Sequence, residues 1–364
     1  MMPPQRPIRV LVVDDSAFMR LAISHALAEH PAIEVVGTAS DGIEALEKVR
    51  ALRPDVVTLD VEMPRMDGLE ALAALMRDRP LPVVMLSSRT TAGAPATIRA
   101  LELGAVDFVA KPAPQVAGPR LLREDLTRAV LAAAQARPRP ALRPVTAHRP
   151  LPASPVAPTA RAEAAHHAEC VVAIGCSTGG PRALMDVLPR LPGNLPAAVL
   201  VVQHMPAGFT RSLAERLNEA SALEVREAEE GETPRPGHAL IAPGGRHMRL
   251  DARGRITLDD GPTVHGVRPS VDVLFASLPP AFGSHCVAAV LTGMGCDGAD
   301  GAAAIRAAGG RVIVEDEATC VVYGMPRAVA ERGLADRQAP LPAIAGAITD
   351  MVLGSGLRHT ASVP

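Results

Sequence analysis

The chain has 364 residues, 48% of them hydrophobic and 21% charged, with a formal net charge of −2. So balanced a chain carries no field that draws it to nucleic acid or anionic lipid. With no Trp and one Tyr it also has few stacking platforms for single-stranded nucleic acid. The length suits two domains. The opening "MMPPQRPIRV" lacks an apolar signal core, and no stretch is long enough to span a bilayer, so the expected location is the cytoplasm with no direct membrane insertion. Five scattered cysteines, Cys170, Cys176, Cys286, Cys296 and Cys320, form no C-x-x-C pair and read as reduced thiols.

In chain order, "IRVLVV", "IEVVG", "DVVTL", "PVVML" and "AVDFVA" read as five short strands. "SAFMRLAISHALAEH", "GIEALEKVRAL", "GLEALAALMRD", "APATIRALELG" and "LLREDLTRAVLAAAQ" read as the helices between and after them. Strict alternation predicts an α/β domain over residues 7–136: a doubly wound, five-stranded parallel sheet of flavodoxin-like type. From Arg137 to Ala168, seven of 32 residues are Pro and none is Ile, Phe or Met, so this stretch cannot bury a core and is expected to be a linker, 137–168. Its five Arg against one Glu also allow a basic contact segment, though a solvated linker is the simpler reading.

Beyond it, "CVVAIG", "AAVLVVQ", "CVAAVLTG" and "RVIV" are buried-strand candidates, and "HALIAPGGRHMRLDARGRITLDDG" suggests antiparallel hairpins. The expectation for residues 169–353 is a second α/β domain with a mostly parallel sheet and a β-hairpin insertion. No helix-turn-helix pattern follows the linker, which argues against DNA binding.

Strands of one parallel sheet finish at the same edge, so residues just past strand ends converge. In the first domain these are Asp14 and Asp15, Asp60, Ser87 and Lys111. Three carboxylates at one edge repel one another unless a divalent cation joins them, and such oxygen ligands suit Mg²⁺. A carboxylate between Mg²⁺ and a lysine can accept a phosphoryl group, because both cations offset the developing charge. Singly, Asp15 and Ser87 also read as helix caps and Asp60 as a turn residue.

In the second domain Ser177, His204 and Asp297 stand just beyond buried strands: a nucleophile, a base and a carboxylate to orient the base. Alone, Ser177 reads as an N-cap, His204 as a cap or surface residue, and Asp297 as a glycine-turn aspartate. The glycine-rich "LTGMGCDG" makes the Met294 backbone amide a candidate oxyanion donor. Gly175 to Gly179 also matches G-x-S-x-G, but an α/β-hydrolase needs several strands before its elbow and the order Ser…Asp…His.

The "DD", "LDVEMPRMDG", "SS" and "DFVAKP" blocks resemble the receiver domain of two-component response regulators. The resemblance implies phosphoryl transfer from a chemotaxis histidine kinase to Asp60, with Mg²⁺ held by Asp14, Asp15 and Asp60, Ser87 and Lys111 on the phosphoryl group, and Phe108 at the switch-aromatic position. The "STGG", "QHMP", "RPSVDVLF", "LTGMGCDG" and "EATCVVYGMP" blocks resemble the catalytic domain of the chemotaxis protein-glutamate methylesterases, the CheB family. That resemblance implies a Ser177–His204–Asp297 triad with no cofactor for the esterase reaction. Its implied substrates are glutamate methyl esters, and glutamines for deamidation, on the cytoplasmic helices of methyl-accepting chemoreceptors. It also implies an unphosphorylated receiver that obstructs the active-site edge. Cys176 departs from the family's usual Ala, and Cys296 occupies a variable position. Small buried apolar roles suit both, with oxidation sensitivity as the sharper alternative.

Overall fold

The computed structural model describes residues 6–88, 93–111, 119–136 and 168–356. The chain divides into two compact units, the first built mainly on the N-terminal residues up to 136 and the second mainly on residues 168–356. Of the expected linker, residues 137–167 fall outside the described residues.

The first unit runs β1 (Ile8–Val13), α1 (Ala17–Ala28), β2 (Ile33–Ala39), α2 (Gly42–Leu52), β3 (Val56–Asp60), α3 (Gly68–Asp78), β4 (Val83–Ser88), α4 (Ala94–Leu103), β5 (Asp107–Lys111) and α5 (Pro119–Gln135). Val10 to Val13 and Val56, Val57 and Leu59 are fully buried. Such continuous burial, without alternation, marks strands covered on both faces by crossover helices. Helix starts are written locally: Ser16 caps α1, Asp41 caps α2, and Asp67 with Glu70 forms a capping box on α3. The sheet order is β2-β1-β3-β4-β5, parallel throughout. The chain steps outward from β1 to β2, then returns to the other side of β1 for β3, which opens a crevice at the carboxyl ends of β1 and β3. Gly68 packs on the Asp60 backbone, where a Cβ would lie 2.0 Å from the Asp60 carbonyl oxygen.

The second unit runs β6 (Val171–Cys176), α6 (Gly180–Val187), β7 (Ala198–Gln203), α7 (Phe209–Ala220), β8 (Glu224–Glu227), β9 (His238–Ile241), β10 (His247–Leu250), β11 (Ile256–Asp259), α8 (Val271–Ser277), α9 (Pro279–Phe282), β12 (Cys286–Val290), α10 (Ala299–Ala307), β13 (Arg311–Glu315), α11 (Met325–Glu331), β14 (Arg337–Ala339) and α12 (Leu341–Gly356). Its seven-stranded sheet is parallel throughout, in the order β14-β13-β12-β6-β7-β9-β8. Val171, Ala173, Leu200, Val202, Phe275 and Val290 pack in its core. Full burial of side chains of the Val, Leu and Phe class contributes roughly 1.5–3 kcal/mol apiece.

One expectation is corrected here. The stretch from His238 to Gly261 holds a single antiparallel hairpin, β10–β11; β9 instead joins the main sheet as a parallel strand between β7 and β8. Three consecutive buried residues at its end, Ala239 to Ile241, are the mark of a strand covered on both faces. The following Pro-Gly-Gly mimics a hairpin turn but ends this strand. Two edge strands, β8 ("EVRE") and β14 ("RQA"), carry no apolar run. The chain enters the sheet at β6, adds β7, places β8 at the edge and returns to insert β9 between them, then crosses to β12 and builds the other way. That reversal places a second crevice at the carboxyl end of β6, flanked by β7 and β12.

Candidate functional site

Cys176 and Gln203 are register partners at the ends of β6 and β7, so Ser177 and His204 leave adjacent strands side by side. The His204 amide donates to the Cys176 carbonyl at 3.1 Å, extending the pairing one residue beyond the strands. On the other flank, the Leu291 amide donates to the Gly175 carbonyl at 2.9 Å, and the glycine turn that follows returns Asp297 to the same crevice. His204 Nε2 lies 2.7 Å from Asp297 Oδ2. An ionised Asp297 accepts a hydrogen bond from Nε2–H, which leaves Nδ1 as the ring nitrogen free to take a proton. Ser177 is half-buried beside this pair, and among the described residues its hydroxyl makes no hydrogen bond. The structure thus joins two of the three expected residues by a direct bond and sets the third next to them by strand register.

Asp297 is almost wholly buried and fully satisfied. Oδ1 accepts from Ser270 Oγ (2.8 Å) and the Asp272 amide (3.0 Å); Oδ2 accepts from His204 and the Val271 amide (2.7 Å). Burial pushes its pKa up, but the hydrogen bond and charge of His204, with the Asp272 and Val271 amides, outweigh that and hold it at about 2. Asp297 is therefore more than a turn aspartate: it also caps the start of α8. The neighbouring Asp272 is raised, by burial first and by the Asp297 charge, and is partly relieved by the Gly301 amide and by His265, whose Nε2 is 3.0 Å away. His265, Asp272 and Asp297 lie close enough to suggest a cation site, but four donors already occupy the Asp297 lone pairs.

Ser270 escaped the sequence reading, although it lies in the "RPSVDVLF" block. It reads there as a helix N-cap, and it is one, accepting from the Val273 amide at 3.4 Å. Its bond to Asp297, 27 residues away, has no local signal. The buried His247 supports it from behind, with Nδ1 accepting the Ser270 amide at 3.2 Å and Nε2 donating to the Pro262 carbonyl at 3.0 Å. Ser270→Ala removes both a cap and a hydrogen bond to a buried charge, an expected loss of about 2–3 kcal/mol. A denaturant melt checks this, and an unchanged midpoint contradicts it.

The remaining expected residues divide. The Met294 side chain is partly exposed, and among the described residues its amide has no acceptor, as an oxyanion donor requires. Cys176 is fully buried, and burial drives its thiol far above the ordinary range, which removes it as a reactive group. Cys296 is exposed, its Sγ 3.9 Å from His265 Nδ1.

In the first unit, Asp14, Asp15 and Asp60 each offer an oxygen within one small cluster. Lys111 Nζ reaches Asp14 Oδ2 at 2.7 Å and Asp60 Oδ2 at 2.6 Å. Burial raises the Asp60 carboxyl to about 6; Lys111 opposes the rise and Asp14 adds to it. Burial also acts to lower Lys111, but its bonds to Asp14 and Asp60 prevail and raise it. An oxygen-only set of three carboxylates, one charged at a cost, fits Mg²⁺. Ser87 is buried, with its Oγ 2.7 Å from Thr97 Oγ1, a partner absent from the sequence reading. Phe108 is half-buried on β5, in register with Met85.

The sequence matches two family profiles, "CheB methylesterase" over residues 172–348 and "Response regulator receiver domain" over residues 10–121. Among curated proteins, a protein-glutamate methylesterase/protein-glutamine glutaminase of Symbiobacterium thermophilum is 56% identical, covering 96% of this chain and 98% of that protein. One of the same description from Pyrococcus abyssi is 46% identical, covering 96% of each chain. The chain belongs to the CheB family of protein-glutamate methylesterase/protein-glutamine glutaminases. A solved structure titled as the Thermotoga maritima CheB methylesterase catalytic domain is 47% identical over 50% of this chain and 98% of that one, with a TM-score of 0.49. Within this CheB-family chain, Ser177, His204, Asp297, Ser270 and Gln203 fall inside the methylesterase match. Asp14, Asp15, Asp60, Ser87 and Lys111 fall inside the receiver match.

Proposed function

We propose that this CheB-family chain is a serine esterase switched on by phosphorylation. In this reading it removes methyl groups from glutamate side chains on the cytoplasmic helices of chemoreceptors and deamidates glutamines there, giving chemosensory adaptation. The observation that carries the reading is the His204–Asp297 pair lying one register step from Ser177, in the same chain as an Asp–Lys phosphoryl-acceptor pocket.

Ser177 Oγ attacks the ester carbonyl while His204 Nδ1 takes its proton. Backbone amides at the glycine turn, that of Met294 among them, receive the oxyanion. His204 then returns the proton to the leaving methoxide, methanol departs, and water activated by the same ring releases the glutamate. An amide substrate follows the same course and releases ammonia. In the receiver, residues 7–136, Asp60 accepts the phosphoryl group from a chemotaxis histidine kinase. Asp14, Asp15 and Asp60 would hold Mg²⁺, which supplies charge to offset that of the transferring group. Lys111 and Ser87 contact the phosphoryl group, and Phe108 responds to it. Residues 137–168 tether this unit to the catalytic unit, 169–353.

Among the described residues, no helix is long and apolar enough to cross a membrane. In the proposed reading the substrate is a receptor segment on the cytoplasmic side.

The test is methanol release from methylated receptor membranes, with and without a small-molecule phosphodonor. Release from the full-length protein is expected to rise with the donor. A fragment beginning at Glu169 is expected to exceed the unphosphorylated full-length protein and to ignore the donor, because phosphorylation can relieve obstruction only by stabilising one state over another. A fragment slower than the unphosphorylated full-length protein shows that the receiver assists rather than obstructs.

A further inference from the structure

Cys176 and Gln203 have no part in the chemistry above, yet they end β6 and β7 one residue before Ser177 and His204 and face each other in register. Gln203 is 2% exposed. Its Nε2 donates to the Ser177 carbonyl at 3.0 Å and to the His204 carbonyl at 3.1 Å. Carbonyl oxygens only accept, so this end of the amide must be nitrogen, and Oε1 must point the other way. That oxygen lies 3.1 Å from Cys176 Sγ. Among the described residues, the other acceptor for the thiol proton is the Val202 carbonyl, at 3.8 Å. Burial keeps the thiol protonated, so its single hydrogen is always there to serve Oε1. Gly180 is required by the same arrangement: a Cβ there would fall 1.9 Å from Gln203 Oε1 and 3.0 Å from Cys176 Sγ. The second glycine of "STGG" is thus the space the amide occupies.

We propose that Gln203, oriented by the Cys176 thiol, is a positioning residue that sets the placement of Ser177 relative to His204. The proposal rests on the triad reading above. One planar amide holds the carbonyls of both residues, so their peptides turn together. Ser177 Oγ and His204 Nδ1 then meet at a distance governed by that amide rather than by a direct bond. A misplacement of about 1 Å at such a pair costs roughly 10²-fold in rate. The thiol is a hydrogen-bond donor in this reading and not filler. Its small size lets it share the cavity with Gly180.

The experiment measures kcat and KM for methanol release by the full-length protein, with methylated receptor membranes as substrate, for Gln203→Met, Gln203→Glu, Cys176→Ala and Cys176→Ser, beside Ser177→Ala. Gln203→Met keeps the volume and removes both donors. Gln203→Glu keeps the shape but turns an acceptor toward two carbonyls. Both are expected to lower kcat about 10–100-fold with KM within about twofold, since neither side chain touches substrate. Cys176→Ala, which alters the core by one sulfur and retains the fold, is expected to lower kcat about three- to tenfold, the worth of one neutral hydrogen bond. Cys176→Ser is expected to recover most of that loss, because a hydroxyl can donate where a methyl cannot. Should Ser177→Ala be inactive while Gln203→Met and Cys176→Ala keep kcat within twofold, the positioning role is wrong and the triad stands. A loss carried by KM alone, or a Cys176→Ser variant as slow as Cys176→Ala, equally overturns it. Full release by Ser177→Ala instead sinks the triad reading itself.

Discussion

Ser177→Ala is expected to reduce methanol release from methylated receptor membranes by roughly 10⁴-fold or more while the fold survives. The change deletes one oxygen from a half-buried side chain that, among the described residues, holds up no hydrogen bond. His204→Ala is expected to lose nearly as much, and the double variant little more, because members of such a set act as one unit. Asp297, held at about 2, stays ionised throughout the working range and keeps its hydrogen bond to His204. Release is measured chromatographically, and serine-directed fluorophosphonate labelling of the wild type supplies an independent readout. Substantial release by Ser177→Ala rules out the serine mechanism. Suspicion then falls on Cys296, the exposed thiol, since Cys176 is sealed in the core with its proton held in place.

Asp60→Asn is expected to abolish acyl phosphate formation and the response of methanol release to a phosphodonor, and chelation of Mg²⁺ is expected to do the same to the wild type. The variant carries a second signature. Asp60 titrates near 6 in the folded receiver against 3.8 as a free side chain, mainly because it is buried. A raised carboxyl disfavours folding once it is charged. The penalty is absent below the unfolded value, grows as pH rises toward 6, and is complete above it. Asparagine never carries that charge. Without Mg²⁺, the variant's receiver should therefore melt higher than the wild type at pH 7.5, and the gap should close toward pH 4. Phosphate found on the variant would identify another acceptor. A gap that is flat with pH would mean that Lys111 fully neutralises Asp60.

The central receiver strands were legible because β1, β3 and β4 carry apolar runs rich in Val and Leu, and three of the helices start on side-chain caps, at Ser16, Asp41 and Asp67. The acid cluster followed from strand ends alone, since strands of one parallel sheet share an edge. Edge strands were not legible: β8 and β14 are short, charged and recognisable only by the neighbour they pair with. The β9 strand was mistaken for half of a hairpin because a local turn signal cannot say which strand a chain returns to.

The sequence by itself determined which residue types stand at the tips of β6, β7 and the turn after β12, and so the chemistry available. Only the tertiary structure decided their partners. His204 meets Asp297 because the chain reverses its direction of growth at β6, a matter of sheet order that no local pattern encodes. Ser270 and Gln203 carry the same lesson. One reads locally as a cap, the other as the last residue of a strand, and each makes its decisive hydrogen bonds across 26 or 27 residues of chain. Propensity and periodicity act over a turn or a strand. The buried carboxylate and the paired carbonyls that these side chains satisfy come into existence only when distant segments close on one another and exclude water.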